Sequence, residues 1–285
     1  MSEKTVLVTG ATGRQGGAAL RHLLQRGWRV RALTRNPEKP SARQIAELGA
    51  EVVRGDLDDP TQVRAAIAGV YGVFSVQDYW TKGVGFEGEI RQARNLIEAA
   101  KEAGVQHFVQ TSIARCHEAP KVEHFRSKHE VERLIDGAGL PRTFLRTVFF
   151  MDNFIDPQVG KLMLPVLSSA LDPETRFHMV AVDDIGAFAA AAFDRPDEYL
   201  GKTIDLAGDE LTIAEIRQLY TETTGRKAPR LGVPRWLFRL INREMAEQFA
   251  WNNRTGWHID VNALRARRPD LKNFRTWLED NARTA

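Results

Sequence analysis

Gly10-Ala11-Thr12-Gly13-Arg14-Gln15-Gly16-Gly17 is the stretch of this chain whose residue types and spacing could do chemistry. Glycine there lets backbone N–H groups approach a pyrophosphate that a Cβ would hold off. The run Thr5-Val6-Leu7-Val8-Thr9 before it is short and β-branched, and Ala18-Ala19-Leu20 and Leu23-Leu24 continue at helical spacing. Strand, glycine turn and helix in that order open a dinucleotide-binding βαβ unit. The helix start would then meet the phosphate charge with its partial positive end. The competing reading is a plain tight turn, and the position directly after an N-terminal strand favours the nucleotide.

The end of the second strand selects between the two nicotinamide dinucleotides. A carboxylate about 20 residues beyond the glycines would bind a free ribose hydroxyl. Here the stretch is Leu33-Thr34-Arg35-Asn36, with no acid. The Arg35 guanidinium would instead grip a 2′-phosphate in bidentate fashion. Arg14 lies on the same side and Lys39 is within loop reach, so NADP(H) is expected over NAD(H). The bland reading makes all three ordinary surface cations.

These groups need a frame, and the first half alternates strand and helix as a parallel, doubly wound sheet requires. Expected strands are Trp28–Leu33, Glu51–Gly55, Val70–Val76, His107–Thr111 and Thr143–Arg146, with Thr203–Leu206 returning later. Expected helices include 42–48, 60–68 and 86–103, the last with Ile90, Ala93, Ile97 and Ala100 on one face and Gly104 as its stop. Another helix contains 131–135, and one begins near Val182-Asp183-Asp184 with an aspartate expected at its cap. From Thr212 onward the chain reads as helical. It carries Trp236, Trp251, Trp257 and Trp277 there, read as core or pocket lining. The fold class is α/β, of Rossmann type.

With 285 residues, the chain can form one large α/β domain or a nucleotide domain with a smaller partner. A net charge of +3 gives no reason to expect nucleic acid, and Arg265–Arg268 reads as a solvated helix face. Cys116 is the single cysteine, which excludes an intrachain disulfide and fits a reducing cytoplasm. Met1-Ser2-Glu3-Lys4 leads straight into the first strand without a signal peptide. No apolar run approaches the roughly 20 residues that span a bilayer. The expectation is a cytoplasmic protein with no membrane partner.

The residues Val8–Gly17, Thr34-Arg35-Asn36-Pro37, Gly49–Asp56, Asp78-Tyr79-Trp80 and His124-Phe125-Arg126-Ser127-Lys128 resemble the NmrA-like group of atypical short-chain dehydrogenases/reductases. That group includes NADPH-dependent reductases and non-catalytic redox sensors. The likeness covers the nucleotide half and continues more weakly to Trp277. It implies a cofactor site of Gly10, Thr12, Gly13, Arg14, Gln15, Gly16, Arg35 and Lys39, with Asp56 and Leu57 flanking the adenine. Val76 and Gln77 would line the path, Thr111 and Ser112 would lie near the nicotinamide, and Phe150 and Asn153 would meet that end. Lys128 matches the family lysine that hydrogen-bonds the nicotinamide ribose. The implied domains are 1–155, with 181–206 returning to it, and a smaller, mostly helical substrate or partner domain of 156–180 and 207–285.

Typical short-chain dehydrogenases place a tyrosine four residues before the lysine as general acid. Here that position is His124. Histidine can donate a proton near neutral pH, and an electron-poor acceptor needs little acid assistance. Tyr79 and Trp80 could stack on such an acceptor. Two functions follow. One is an NADPH-dependent reductase of a small conjugated or aromatic carbonyl or quinone, with Lys128 and His124 as its catalytic residues. The other is an NADP(H)-sensing regulator that acts through a protein partner. An epimerase- or dehydratase-like use of the cofactor is disfavoured without the tyrosine. A homodimer is compatible with either function, and no metal site is expected.

Overall fold

The computed structural model describes residues 4–228 and 234–281. Met1, Ser2 and Glu3 of the expected leaderless opening lie outside them, as do 229–233 and 282–285 of the expected smaller domain. Ten short runs form strands among the described residues: β1 (Thr5–Val8), β2 (Arg29–Thr34), β3 (Glu51–Arg54), β4 (Gly72–Ser75), β5 (His107–Ile113), β6 (Arg142–Thr147), β7 (Phe149–Phe150), β8 (Phe177–Val180), β9 (Thr203–Leu206) and β10 (Asp209–Leu211). Chain contacts divide the molecule into two units. The first comprises Met1–His117, His124–Arg146 and Ile185–Ile204; the second comprises Glu118–Glu123, Thr147–Asp184 and Asp205–Ala285.

In the first unit the sheet order is β3-β2-β1-β4-β5-β6-β9, and the pairs from β3 across to β5 are parallel. This order reverses direction at β1 and β4, the place where doubly wound sheets leave a crevice beyond the strand ends. The helices Arg14–Gln25, Pro40–Glu47, Pro60–Ile67, Gly85–Glu102 and Glu123–Ala138 link the strands. Their apolar stripes bury against the sheet: Val63 and Ile67, then Ile90, Ala93, Leu96 and Ile97, then Val131 and Ile135, pack on Leu7, Val73, Phe108 and Phe144. Local chemistry sets the ends. Asp59 accepts from the N–H groups of Thr61 and Gln62 at 2.9 and 3.1 Å, with Pro60 at the first helical position. Gly104, at φ +64°, ends its helix as expected.

The second unit holds a small sheet, β10-β8-β7, that the sequence pattern did not reveal. His178 pairs with Glu210 antiparallel, and Phe149 with Met179 parallel. β7 and β10, of two and three residues, are too short to carry a period-2 pattern. The core here is aromatic. Phe177 lies 5.4 Å from Trp257 and 5.1 Å from Phe149, and Phe274 stacks on Trp277 at 6.0 Å. Trp251, Trp257 and Trp277 are therefore core, as read from the sequence, whereas Trp236 is exposed. The helix Val182–Asp194 is capped differently from expectation. Asp152 accepts from its first N–H at 2.9 Å, and Asp184 turns instead to the Lys272 N–H at 3.1 Å.

Candidate functional site

The glycine turn crosses the carboxyl ends of β1 and β4. Thr9 joins the two strands: its hydroxyl accepts from the Val76 N–H at 2.8 Å and donates to the Val76 carbonyl at 2.9 Å. Gly10 follows at φ +58°, and a Cβ there would sit 2.7 Å from Val76 Cγ1. At Gly16 a Cβ would lie 2.2 Å from the Gly10 carbonyl oxygen and 2.6 Å from that of Thr9. Only glycine permits so close a crossing of strand and helix. Gly13 donates to the Gly10 carbonyl at 2.8 Å, which tightens the turn. The helix Arg14–Gln25 then starts with no capping side chain and no acid in its first turn. Its first amides are thus left without the side-chain acceptor that usually answers them. Thr12 and Arg14 are exposed beside this start, and the buried Gln15 Oε1 has no hydrogen-bond partner.

Beyond β2, Arg35 and Lys39 are exposed, and neither side chain makes a hydrogen bond or ion pair among the described residues. The next carboxylate along the chain, Glu38, is paired with Arg43 at 3.0 Å. Arg35 does act at a distance on Asp58. Burial would raise that carboxyl, but hydrogen bonds from Arg91 and Gln92 and the charges of Arg91 and Arg35 hold it below its ordinary value. After β3, Asp56 spends its carboxylate on the Asp58 N–H at 3.0 Å, and the Leu57 carbonyl accepts from Asn95 at 2.8 Å. Both keep the loop in shape.

Gln77 and Thr111, after β4 and within β5, are buried. Gln77 donates to Ser75 at 2.9 Å and accepts from Gln110 at 3.1 Å, and the Thr111 hydroxyl reaches the Ser75 carbonyl at 3.4 Å. Ser112 lies 4.0 Å from the Cys116 sulfur. Arg35, Asp56 and Gln77 thus follow the carboxyl ends of β2, β3 and β4, whereas Thr111 and Ser112 lie within β5. Phe150 closes β7 and Asn153 follows in the turn Met151–Phe154, both within the second unit.

The helix Glu123–Ala138 carries His124 and Lys128 one turn apart, hence on one face. Lys128 is not free. Its ammonium donates to Glu89 at 2.5 Å and lies 3.5 Å from the Gln77 carbonyl, while Ser127 donates to the other Glu89 oxygen. Glu89 is fully buried on the helix Gly85–Glu102 and was missed by sequence reading. One signal could have found it: Glu89 stands four residues before Ala93, on the apolar stripe, where an acid must have a partner. An ammonium has three donors, so Lys128 keeps one for a further acceptor. His124 is buried among rings, 5.8 Å from Tyr79, 5.1 Å from Trp80 and 4.9 Å from Phe125. Tyr79 is buried too, whereas Trp80 stands exposed, edge-on to it at 5.0 Å. Asp78 shapes this loop by accepting from the Trp80 N–H at 3.2 Å and the Thr81 hydroxyl at 2.6 Å.

Cys116, His129 and Glu132 bring ligand-type atoms within 4.8 Å of one another. Arg146, however, already holds both Glu132 oxygens at 2.8 and 2.6 Å. Burial, reinforced by Glu132, pushes the Cys116 thiol up to about 12. This is a packed ion pair beside an inert thiol.

Comparison with known proteins agrees with this architecture. The chain is 30% identical over 258 residues to the chloroplastic protein High Chlorophyll Fluorescence Phenotype 244 of Arabidopsis thaliana, covering 87% of this chain and 62% of that protein. It is 29% identical to an NmrA-like family domain-containing oxidoreductase of Aspergillus hancockii, covering 79% of this chain and 74% of the relative. Among solved structures, the Citrobacter sp. triphenylmethane reductase complexed with NADP(H) superimposes with a TM-score of 0.78 at 22% identity, covering 98% and 99% of the two chains. NmrA, a negative transcriptional regulator, superimposes with a TM-score of 0.79 at 18% identity, covering 98% of this chain and 95% of that one. Residues 2–269 match the family model, so the chain belongs to the NmrA-like family and has its Rossmann-type fold.

Proposed function

We propose that this chain binds NADP(H) at the glycine turn and reduces a small conjugated or aromatic carbonyl or quinone. The observation that carries the reading is a helix start without a capping side chain, set over a turn that has no room for a Cβ. That space and those donors fit a pyrophosphate. Arg35 and Lys39, exposed and without partners among the described residues, fit the additional phosphate on the ribose. The reading is supported by likeness of fold to an Escherichia coli NADPH-dependent quinone oxidoreductase complexed with NADPH, which superimposes with a TM-score of 0.79 at 21% identity.

When bound, the nicotinamide supplies a hydride, and the protein's part is to orient and shield. Gly10, Thr12, Gly13, Arg14, Gln15 and Gly16 hold the diphosphate, Asp56 and Leu57 flank the adenine, and Val76, Gln77 and Thr111 line the path between. The third donor of Lys128 binds the ribose while Glu89 fixes the ammonium in place. Trp80 presents an exposed π face to the acceptor, and Tyr79 braces it edge-on. The ring of His124, or solvent, returns a proton to the acceptor oxygen. Steady-state NADPH oxidation with a panel of quinones and enones tests this. Turnover with at least one acceptor is expected, and tight NADPH binding with no turnover anywhere in the panel would overturn the reductase.

One observation favours a second reading, a regulator that responds to NADP(H) occupancy. Lys128 is neutralised by a buried carboxylate and has no tyrosine four residues before it. Such a protein must bind the ligand differently in two conformations. A change in oligomeric state or partner binding on adding NADPH, without turnover, would support it.

A further inference from the structure

Five large apolar side chains share the seven-residue helix Arg235–Ile241 of the second unit, and four of them face outward. Trp236 is 66% exposed, Leu240 77%, Ile241 71% and Leu237 36%. At 100° per residue, Trp236, Leu240, Leu237 and Ile241 fill one unbroken arc of about 140°. Phe238 turns the other way and packs 6.0 Å from Phe249. A core helix buries its apolar stripe; this one presents it. Trp251, Trp257 and Trp277 are all buried, which sets Trp236 apart.

The flank of the arc is basic. Arg235 and Arg239 sit beside Trp236 on the helix surface, with Arg235 paired to Asp172 at 2.6 Å and Arg239 to Glu247 at 3.2 Å. Those pairs answer the two acids, and Glu244 is half-buried and partnered as well. Arg243, just past the helix, is exposed and has no counter-charge among the described residues. Arg235 also donates to the Ser169 carbonyl in the last turn of the helix Gly160–Ala170, whose first turn carries Lys161, exposed and likewise without a counter-charge among the described residues. That helix also exposes Leu162, next to Lys161.

We propose that this face docks on an anionic lipid surface, the helix lying in the interfacial plane with Trp236, Leu240 and Ile241 entering the headgroup boundary. An outward apolar arc bordered by cations, with an aromatic at its rim, is what such a surface accepts. A second copy fits less well, because two-fold pairing lays the patch on itself and sets the uncompensated cations against each other. No helix among the described residues is long and apolar enough to cross a membrane, and surface docking needs none. The expectation of no membrane partner rested on the lack of a spanning run and did not address this mode.

Sedimentation of the full chain with vesicles tests the proposal, using phosphatidylcholine with and without phosphatidylglycerol. The chain should pellet with the phosphatidylglycerol vesicles, less at high salt, and at least tenfold more weakly with phosphatidylcholine alone. Leu240→Glu and Trp236→Ser should each weaken pelleting by about tenfold, with circular dichroism and melting unchanged. Arg243→Glu should lower binding to the anionic vesicles only. Failure of the folded chain to pellet, or pelleting of Leu240→Glu as well as the parent, would overturn the assignment. So would self-association without lipid that Leu240→Glu abolishes, since the arc would then be a contact between copies.

Discussion

At the glycine turn, the helix Arg14–Gln25 begins with no side chain answering its first amides, whereas at the helix Glu123–Ala138 the key cation is already answered, Lys128 by a fully buried Glu89. The first region is built by backbone, and its geometry is set by the absence of Cβ atoms. The second is built by side chains whose charges balance within the protein. The contrast explains why ligand class can be argued at one and chemistry only proposed at the other. Backbone donors aimed into space state what they require, while a satisfied ion pair can serve structure and catalysis alike.

The largest expected effect comes from breaking the satisfied pair. Glu89→Ala leaves a mostly buried ammonium without a counter-charge and should destabilise the chain by about 3–5 kcal/mol in urea unfolding. The double variant Glu89→Leu with Lys128→Met should regain most of that loss, because both charges are gone. A single-variant cost near zero would mean that Lys128 is anchored by something else.

A second contrast sets one buried group in each unit against the other. His107 donates through Nε2 to Thr143 at 2.8 Å, since the Thr143 hydroxyl itself donates to the Tyr199 carbonyl. Its Nδ1 is buried with no partner, and burial pulls its pKa to about 4. Stability from this group is complete above the unfolded value of 6.5 and is lost as pH falls toward 4. Asp184 runs the other way. Burial, opposed by the Lys272 N–H and by the Arg268 and Lys272 charges, lifts its carboxyl to about 7. Its contribution is complete below 3.8 and is lost as pH rises through 7. At about 1.4 kcal/mol per pKa unit the two are worth roughly 3 and 4 kcal/mol, so their slopes largely offset between pH 4 and 6.5. Relative to the parent, His107→Gln should lose stability as pH rises across this window, and Asp184→Asn should gain it. Parallel pH curves for all three proteins would contradict the opposed titrations.

Much of the first unit's fold was legible because its signals are local: the Gly10–Gly17 turn directly after an apolar run marks a strand-to-helix crossing, and the stripe from Ile90 to Ala100 marks one buried helix face. Glu89 was not legible as a site residue, since its partner comes from a helix about 40 residues away in the chain and no local pattern pairs them. The small sheet β10-β8-β7 escaped for a related reason, its strands being held by tertiary pairing and aromatic packing rather than by alternation. The cap of the helix Val182–Asp194 misled because Asp183 and Asp184 stand at its start, while the acceptor arrives from Asp152, 30 residues upstream.

The smallest expected effect bears most directly on the turn. Calorimetric titration of the parent and Arg35→Ala with NADPH and with NADH measures both the site and its preference. The account predicts tight NADPH binding by the parent, weakened by about 1–3 kcal/mol in Arg35→Ala, with NADH affinity nearly unchanged. No heat with NADPH, or equal losses for both cofactors, would contradict it.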